Sequence, residues 1–427
     1  QARRRFLGRW LDRDEGARRR ADDHDHPPDQ PGRTRFMLGT TGLVAALAVF
    51  ALTVNIVGTQ PTQAPAACSG TTGVVPADGS GEFSSISEAV AAAVGGDTIL
   101  VQPGTYSESI VIDKDITLMG GGDRDQTIIE APAGGDVWDV GATGFVGMGT
   151  AVIPYAILLD DAGGQVSGLT LRGEASALIG SGGEVVFEDL VLDGAPLAIT
   201  HGAEALVRSN ELRGESSWIR VFEDSVATID GNSLSQGAAL VVLMDADGTD
   251  VRNNVLEGAG VFIQGSPSVK VEGNVIVEPG AAGISISNRV GEDKDPQPVA
   301  VRNNSVTGAS QAGIDIKGLI RGTITGNELV DNRLGISLSL NADIAEIEGN
   351  SIRGGTAGIV IGAGSPIVVG NTVEGARTGL TIGTGFSPTL SANVLCGNER
   401  DLVVGSDASP VIDDTNEICV TDWPVGE

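Results

Sequence analysis

The sequence predicts an all-β solenoid: a right-handed parallel β-helix with coils of about 22 residues, an N-terminal capping helix and one preceding transmembrane helix. Three observations carry that expectation. The first is a repeat of the form Asn-x-apolar-x-x, often closed by Gly. It reads NELRG from Asn210, NVLEG from Asn254, NSVTG from Asn304, NSIRG from Asn350, NTVEG from Asn371 and NVLCG from Asn393. Weaker copies start at Asn232, Asn274, Asn327 and Asn416, and neighbouring copies lie 20 to 23 residues apart with one gap of 30. The second is short apolar alternation with 62 glycines, a pattern for three short strands per coil and not for paired helices. The third is the uncharged run FMLGTTGLVAALAVFALTVNIVG over residues 36–58.

Residues 1–35 mix Arg3, Arg4, Arg5, Arg18, Arg19 and Arg20 with aspartates and read as a basic cytoplasmic tail. The run 36–58 exceeds the roughly 20 residues a bilayer requires. Arg33 and Arg35 just before it put the N-terminus in the cytoplasm and everything after it outside, at the cell membrane. Ala64-Pro65-Ala66 offers the alternative of cleavage and release. Gln1 in place of a methionine is expected of a fragment or processed chain, which allows a further cytoplasmic domain upstream. The net charge of −29 falls almost wholly beyond residue 60, which argues against nucleic-acid binding.

Residues 59–76 have the Pro, Thr, Gln, Ala and Gly composition of a spacer, 77–421 carry the solenoid, and 422–427 form a tail. Each coil has one apolar face that only stacking can bury. Strands of adjacent coils then lie about 4.8 Å apart, and any position repeated per coil becomes a column. The ten asparagines from Asn210 to Asn416 are expected to form such a column, a ladder at a sharp turn. ITLMG from Ile116, LTLRG from Leu169 and LVLDG from Leu190 read as earlier copies with an aliphatic residue in place of Asn.

The open N-terminal end needs a cover. Ser85 and Glu88 form a capping box opening SISEAVAAAV, which Gly95-Gly96 ends, with Ile86, Val90, Ala93 and Val94 toward the first coil. Strands Thr98–Gln102 and Ser109–Ile112 begin the winding. At the other end, Cys396 and Cys419 each sit three residues after a ladder Asn. On adjacent coils they fall within disulfide range, two free thiols being the alternative. Arg172, Asp193 and Arg213, and likewise Arg353 and Glu374, should form exposed charge columns.

The stretch from Asp78, DGSGEFSSISEAVAAAVGGDTILVQPGTYSESIVIDKDITLMGGG, resembles the N-terminal end of pectinesterases and other pectin-lyase-like β-helix proteins. The resemblance lies in the Asp-Gly-Ser-Gly turn at Asp78 and the Gly-x-Tyr-x-Glu element at Gly104, Tyr106 and Glu108. The later repeats are similar to copper-accessory (NosD-like) and generic parallel β-helix proteins. Together this covers about residues 73–420 and implies the fold. The pectinesterase catalytic motifs, with their two aspartates and one arginine, are missing, as are polygalacturonase signatures. His201 is the only histidine outside the basic tail, too few for an imidazole copper site.

Counting from the ladder places Glu204, Asp224 and Asp245 13 or 14 residues after Leu190, Asn210 and Asn232. Glu223 and Asp247 flank them, with Trp218 and Arg220 nearby. Such carboxylates either hold a hard cation, here Ca²⁺ on Asp224, Asp245 and Asp247, or share protons for acid–base work with Arg220 stabilising charge. The plain alternative is a row of solvated turn residues. No other cofactor is implied. Two insertions break the period, one between Ile116 and Leu169 offering Trp138, Phe145, Met148 and Tyr155, the other at Asn288–Pro298. Trp138, Tyr155, Trp218 and Glu204 are the candidate ligand-binding residues. The expected function is a membrane-anchored extracytoplasmic module that recognises a glycan or cell-envelope partner without catalysis. The alternatives are a carbohydrate-active enzyme (lyase, hydrolase or epimerase) using the acidic patch, and the sensor ectodomain of a larger receptor.

Overall fold

The computed structural model describes residues 72–422 apart from 77, 79, 140–151, 236–240, 267 and 289–297. The tail, the apolar run 36–58, Cys68, Phe145, Met148 and most of the second insertion lie outside the described residues. Among the described residues no helix is long and apolar enough to cross a membrane.

The described chain winds through three parallel sheets of 15, 14 and 15 strands, visited in turn once per coil. The pattern is that of a right-handed β-helix with about 13 turns. Alternation does the work. In Ala357–Ile361 the chain turns Ile359 and Ile361 inward, both fully buried or nearly so, and leaves Val360 half-buried outside. Repeated on every strand, this builds one continuous core of isoleucine, leucine and valine from Val75 to Val404. The backbone groups of each coil are satisfied by the coils on either side, as they must be in a dry interior.

The asparagine ladder occupies the turn between the first and second sheets. Each ladder side chain joins the next coil twice: Asn210 N and Nδ2 both donate to Asn232 Oδ1, at 3.0 and 2.9 Å. The same pair of bonds recurs down to Asn393, which donates to Asn416 Oδ1 at 3.1 and 2.9 Å. The Nδ2 groups also reach back to a carbonyl of the preceding coil, as Asn304 does to Val271 O at 2.9 Å. Leu190 continues the column upstream, its N–H donating to Asn210 Oδ1. Leu169 and then Thr127 follow, since Thr170 faces Ile128. Ile116 does not belong to it. ITLMG is a first-sheet strand, Ile116–Gly120, because first- and second-sheet strands carry the same alternation and the motif alone does not separate them. The first insertion therefore enlarges one coil and does not interrupt two.

The winding also begins earlier than the composition suggests. Thr72–Val75, expected within the spacer, pairs with Thr98–Val101 as the first strand, and the last strand, Thr421–Asp422, runs one residue past the expected boundary. The helix Ile86–Ala92 covers this end, with Ser85 Oγ accepting from Glu88 N at 3.1 Å. Glu88 returns to Ser84 N and Oγ, one residue earlier than a standard box. The helix stops before Val94, which is 66% exposed and does not face the first coil. The first coil clamps the helix at both ends. Glu108 accepts from Ile86 N and Ser87 N at 2.9 Å each, and Lys114 Nζ donates to Val90 O and Ala93 O. Tyr106 OH donates to Val75 O or Gln102 O, so the Gly-x-Tyr-x-Glu element is structural here.

At the far end Cys396 and Cys419 are joined, with Cα atoms 5.2 Å apart. On the second sheet Asp193 lies between Arg172 and Arg213, at 3.5 and 3.9 Å, and Arg353 meets Glu374 at 2.8 Å. The first sheet carries a longer column of this kind on its outer face. Glu188, Arg208, Asp230, Arg252, Glu272 and Arg302 stack in register on six consecutive coils. Ion pairs of 2.7, 3.1 and 2.7 Å join Arg208 to Glu188, Arg252 to Asp230 and Arg302 to Glu272.

Candidate functional site

On most coils the outward side chains of the third sheet are small or polar. On the coils from Val152 to Gln264 several are large and apolar or aromatic. A second apolar cluster lies outside the solenoid here, made of Tyr155, Leu158, Ala177, Ile179, Ala198, Phe222 and Met244. Trp138, Ile153, Trp218 and Phe262 pack over it. The enlarged coil supplies part of the cover. Val137–Asp139 runs antiparallel to the start of the long strand Val152–Asp160, so Trp138 sits opposite Ile153 on a short hairpin. Tyr155, expected exposed, is 4% exposed beneath this hairpin, and burial raises its hydroxyl pKa.

Three coils further on, Trp218 and Arg220 alternate with the core residues Ile219 and Val221, which puts both on the outer face. The Arg220 guanidinium lies 3.8 Å from the Trp218 ring centroid. Burial alone pushes its pKa down to about 10, leaving it charged at neutral pH. Its Nε is buried without a hydrogen-bond partner, as are Trp138 Nε1 and Gln264 Oε1 on the same face. Orphaned polar atoms are rare in folded chains and mark places where something else completes the bonding.

Beside this platform runs the turn that leaves the third sheet. His201, Glu223 and Asp245 hold the same turn position on three successive coils, with φ of 54, 53 and 52°. On other coils the position is held by Gly182, Gly265 and Gly318, and by Asp161 and Leu340, which share the positive φ. A left-handed backbone favours glycine, so three charged or titratable residues there carry a strain that a glycine would relieve. Glu223 accepts from Thr200 Oγ1 at 3.0 Å and lies 3.6 Å from His201 Nε2. The imidazole meets Trp138 edge-on, with ring centroids 6.1 Å apart. The structure thus joins Trp138, Trp218, Arg220, Glu223 and Asp245 to one face, together with His201, Phe222 and Gln264. Sequence reasoning used His201 only to set aside an imidazole copper site and passed over the other two. The signal was the glycine found at the His201 position in other coils.

Glu204 is elsewhere. It opens a first-sheet strand, in register with Glu184 and Val226, at a shallow depression of about 350 Å³ also lined by Val186, Leu206 and Thr228. The ladder count misplaced it because the coils differ in length. Nine residues separate Leu190 from Ile199, whereas eleven separate Asn210 from Val221, which faces Ile199. Asp224 and Asp247 are exposed turn residues, and Asp224 N donates to Asp245 O at 3.1 Å. Asp224, Asp245 and Asp247 do not converge as a cation site. Among the described residues the only three metal-ligand atoms within 4.8 Å of one another belong to Cys396, Glu417 and Cys419, where the sulfurs are already bonded together.

These features define a parallel β-helix with an elaborated face on one sheet. The chain belongs to the right-handed β-helix family, whose region model matches residues 155–293 and 241–395, together more than half of its length. No curated protein sequence matches it. Among solved structures it is similar to the catalytic unit of an α-1,3-glucanase of family GH87 from Streptomyces thermodiastaticus. That match has 15% identity and a TM-score of 0.50, covering 79% of this chain and 65% of that unit. The pectin methylesterase of Erwinia chrysanthemi matches at 14% identity and a TM-score of 0.34, covering 56% of this chain and 80% of that one. At these identities the likeness is one of fold.

Proposed function

We propose that this chain is an extracytoplasmic carbohydrate-active protein that engages a polysaccharide on the outer face of the third sheet, with Glu223 and Asp245 as its acid–base pair. The observation that carries the reading is the stacking of His201, Glu223 and Asp245 at strained turn positions beside Trp138 and Trp218. Strand spacing sets the backbones of Glu223 and Asp245 about 5 Å apart, close enough for their carboxyl groups to act on one glycosidic bond. Thr200 and His201 orient the Glu223 carboxylate, and aromatic rings beside it suit sugar stacking. The glucanase likeness supports this reading at the level of fold analogy. The absence of every pectinesterase catalytic motif favours a second reading, recognition of a glycan without turnover.

Residues 36–58 are proposed as a single membrane span that holds the domain outside the cell. The Cys396–Cys419 disulfide supports an oxidising location. Alkaline carbonate extraction and protease protection of the expressed chain test the topology. For activity, the full chain is assayed on a panel of neutral and acidic polysaccharides for new reducing ends or unsaturated products. Turnover lost in E223Q and D245N, with melting unchanged, supports the enzyme. Binding without turnover supports the second reading.

A further inference from the structure

Several arginines on the outside of this solenoid are held in pairs. Arginines 208, 252, 302 and 353 each meet a carboxylate of an adjacent coil within 3.1 Å. Among the described residues Arg220 has no such partner. Its cross-strand neighbours on the two adjacent coils are Ala198 and Val242, neither charged, and next along its own strand on the outer face are Trp218 and Phe222. The guanidinium stacks on Trp218, and its Nε is buried and unbonded. A half-buried cation without a counterion is costly unless something completes it. In a chain of net charge −29, carboxylates are plentiful, yet none occupies the positions facing Arg220 on the adjacent coils.

The ligand chemistry follows from the shape of the group. A guanidinium fixed flat against an indole exposes its edge, and a planar fork of N–H donors matches a carboxylate in two parallel hydrogen bonds. A neutral sugar would leave the cation unpaired. We infer that the Trp218–Arg220 pair is a subsite for the carboxylate of a sugar acid, so that the polysaccharide engaged on this face contains uronic acid residues. This rests on the reading of the third-sheet face as the glycan site.

The test is binding of the full chain to three matched glycans by isothermal titration calorimetry: oligouronides, the same oligosaccharides after chemical reduction of their carboxyl groups, and a sulfated neutral glycan. The wild type is expected to bind oligouronides at least tenfold more tightly than the reduced form, with a preference that falls as salt rises. R220Q should lose that preference and bind the oligouronide and reduced forms with equal affinity. R220K should recover only part of it, because an ammonium offers a point charge in place of the fork. Equal binding of oligouronide and reduced forms, an oligouronide preference that survives R220Q, or binding restricted to the sulfated glycan would each overturn the carboxylate subsite. W138A and E223Q separate the two levels. If they abolish binding of neutral glycans while oligouronides show no advantage, the face is the glycan site and the carboxylate inference fails alone. If no glycan binds, both readings fall.

Discussion

The third sheet reads differently at its two ends. From Leu334 to Val404 its strands turn Ser337, Val360, Thr381 and Val403 outward, half-buried side chains with no layer of aromatics above them. From Val152 to Gln264 the corresponding positions hold Leu158, Ile179, Ala198 and Arg220, and the row beside them holds Phe222 and Met244. The inward rows at both ends are the same: Leu159 and Ile199 at one, Leu338 and Ile382 at the other, each at most 1% exposed. Inward positions answer to stacking, which every coil shares. Outward positions answer to whatever lies on that stretch of surface, and they diverge where the surface is used.

The comparison breaks most visibly if the shared interior is damaged. Asn304→Ala removes an amide that bonds coils on both sides and strands the Asn274 N–H in a buried turn. We expect a loss of about 3–4 kcal/mol, more than the loss of a single unsatisfied group, measured by chemical denaturation. Because each coil contacts only its neighbours, hydrogen exchange should rise first in the coils around it. Phe222→Ala, on the outer face of the elaborated end, should cost about 3 kcal/mol, since it is 3% exposed in the secondary cluster. A cost under about 1 kcal/mol would mean that this cluster is not packed as a core.

Removing the bond between Cys396 and Cys419, by double substitution to Ser, should cost about 2–3 kcal/mol, felt as early exchange of the strands Val411–Ile412 and Glu417–Ile418. Thr381→Ala, outward on the plain end, should fall within about 0.5 kcal/mol of the wild type. The smallest effect is a pH dependence at the cap. Bonds from Ser84 Oγ and N hold the exposed Glu88 carboxyl below its ordinary value of 4.5. A depressed folded pKa stabilises above the unfolded value and is lost as pH falls through the folded one. Protection of the helix amides relative to their intrinsic exchange should therefore fall as pH drops below about 4.5 and stay level above it; a loss of protection on raising pH would contradict the assignment.

The fold was legible because its strongest signal cannot be bought with another residue: an amide must both donate and accept at every coil, so Asn210 to Asn416 stay visible. Upstream the same turn position passes to Leu190, Leu169 and Thr127, and the signal fades into ordinary strand alternation. That is why Ile116 was assigned to the wrong sheet. The site was legible in composition and not in register. Trp218, Arg220, Glu223 and Asp245 could be gathered by counting, but a turn shortened in one coil carried Glu204 to another sheet. Tyr155 was expected outside because nothing in its local sequence announces the hairpin that covers it. His201 needed a column comparison, since only neighbouring coils, with Gly182 above and Glu223 below, show that its position is a left-handed turn.

The charged column on the first sheet, Glu188 to Arg302, has a consequence for how such a solenoid can change length. Its signs alternate coil by coil, so the array has parity. Excising one coil brings two like charges face to face, whereas excising two restores the alternation. Growth or shortening of this stretch is therefore favoured in steps of two coils, although the backbone would accept one.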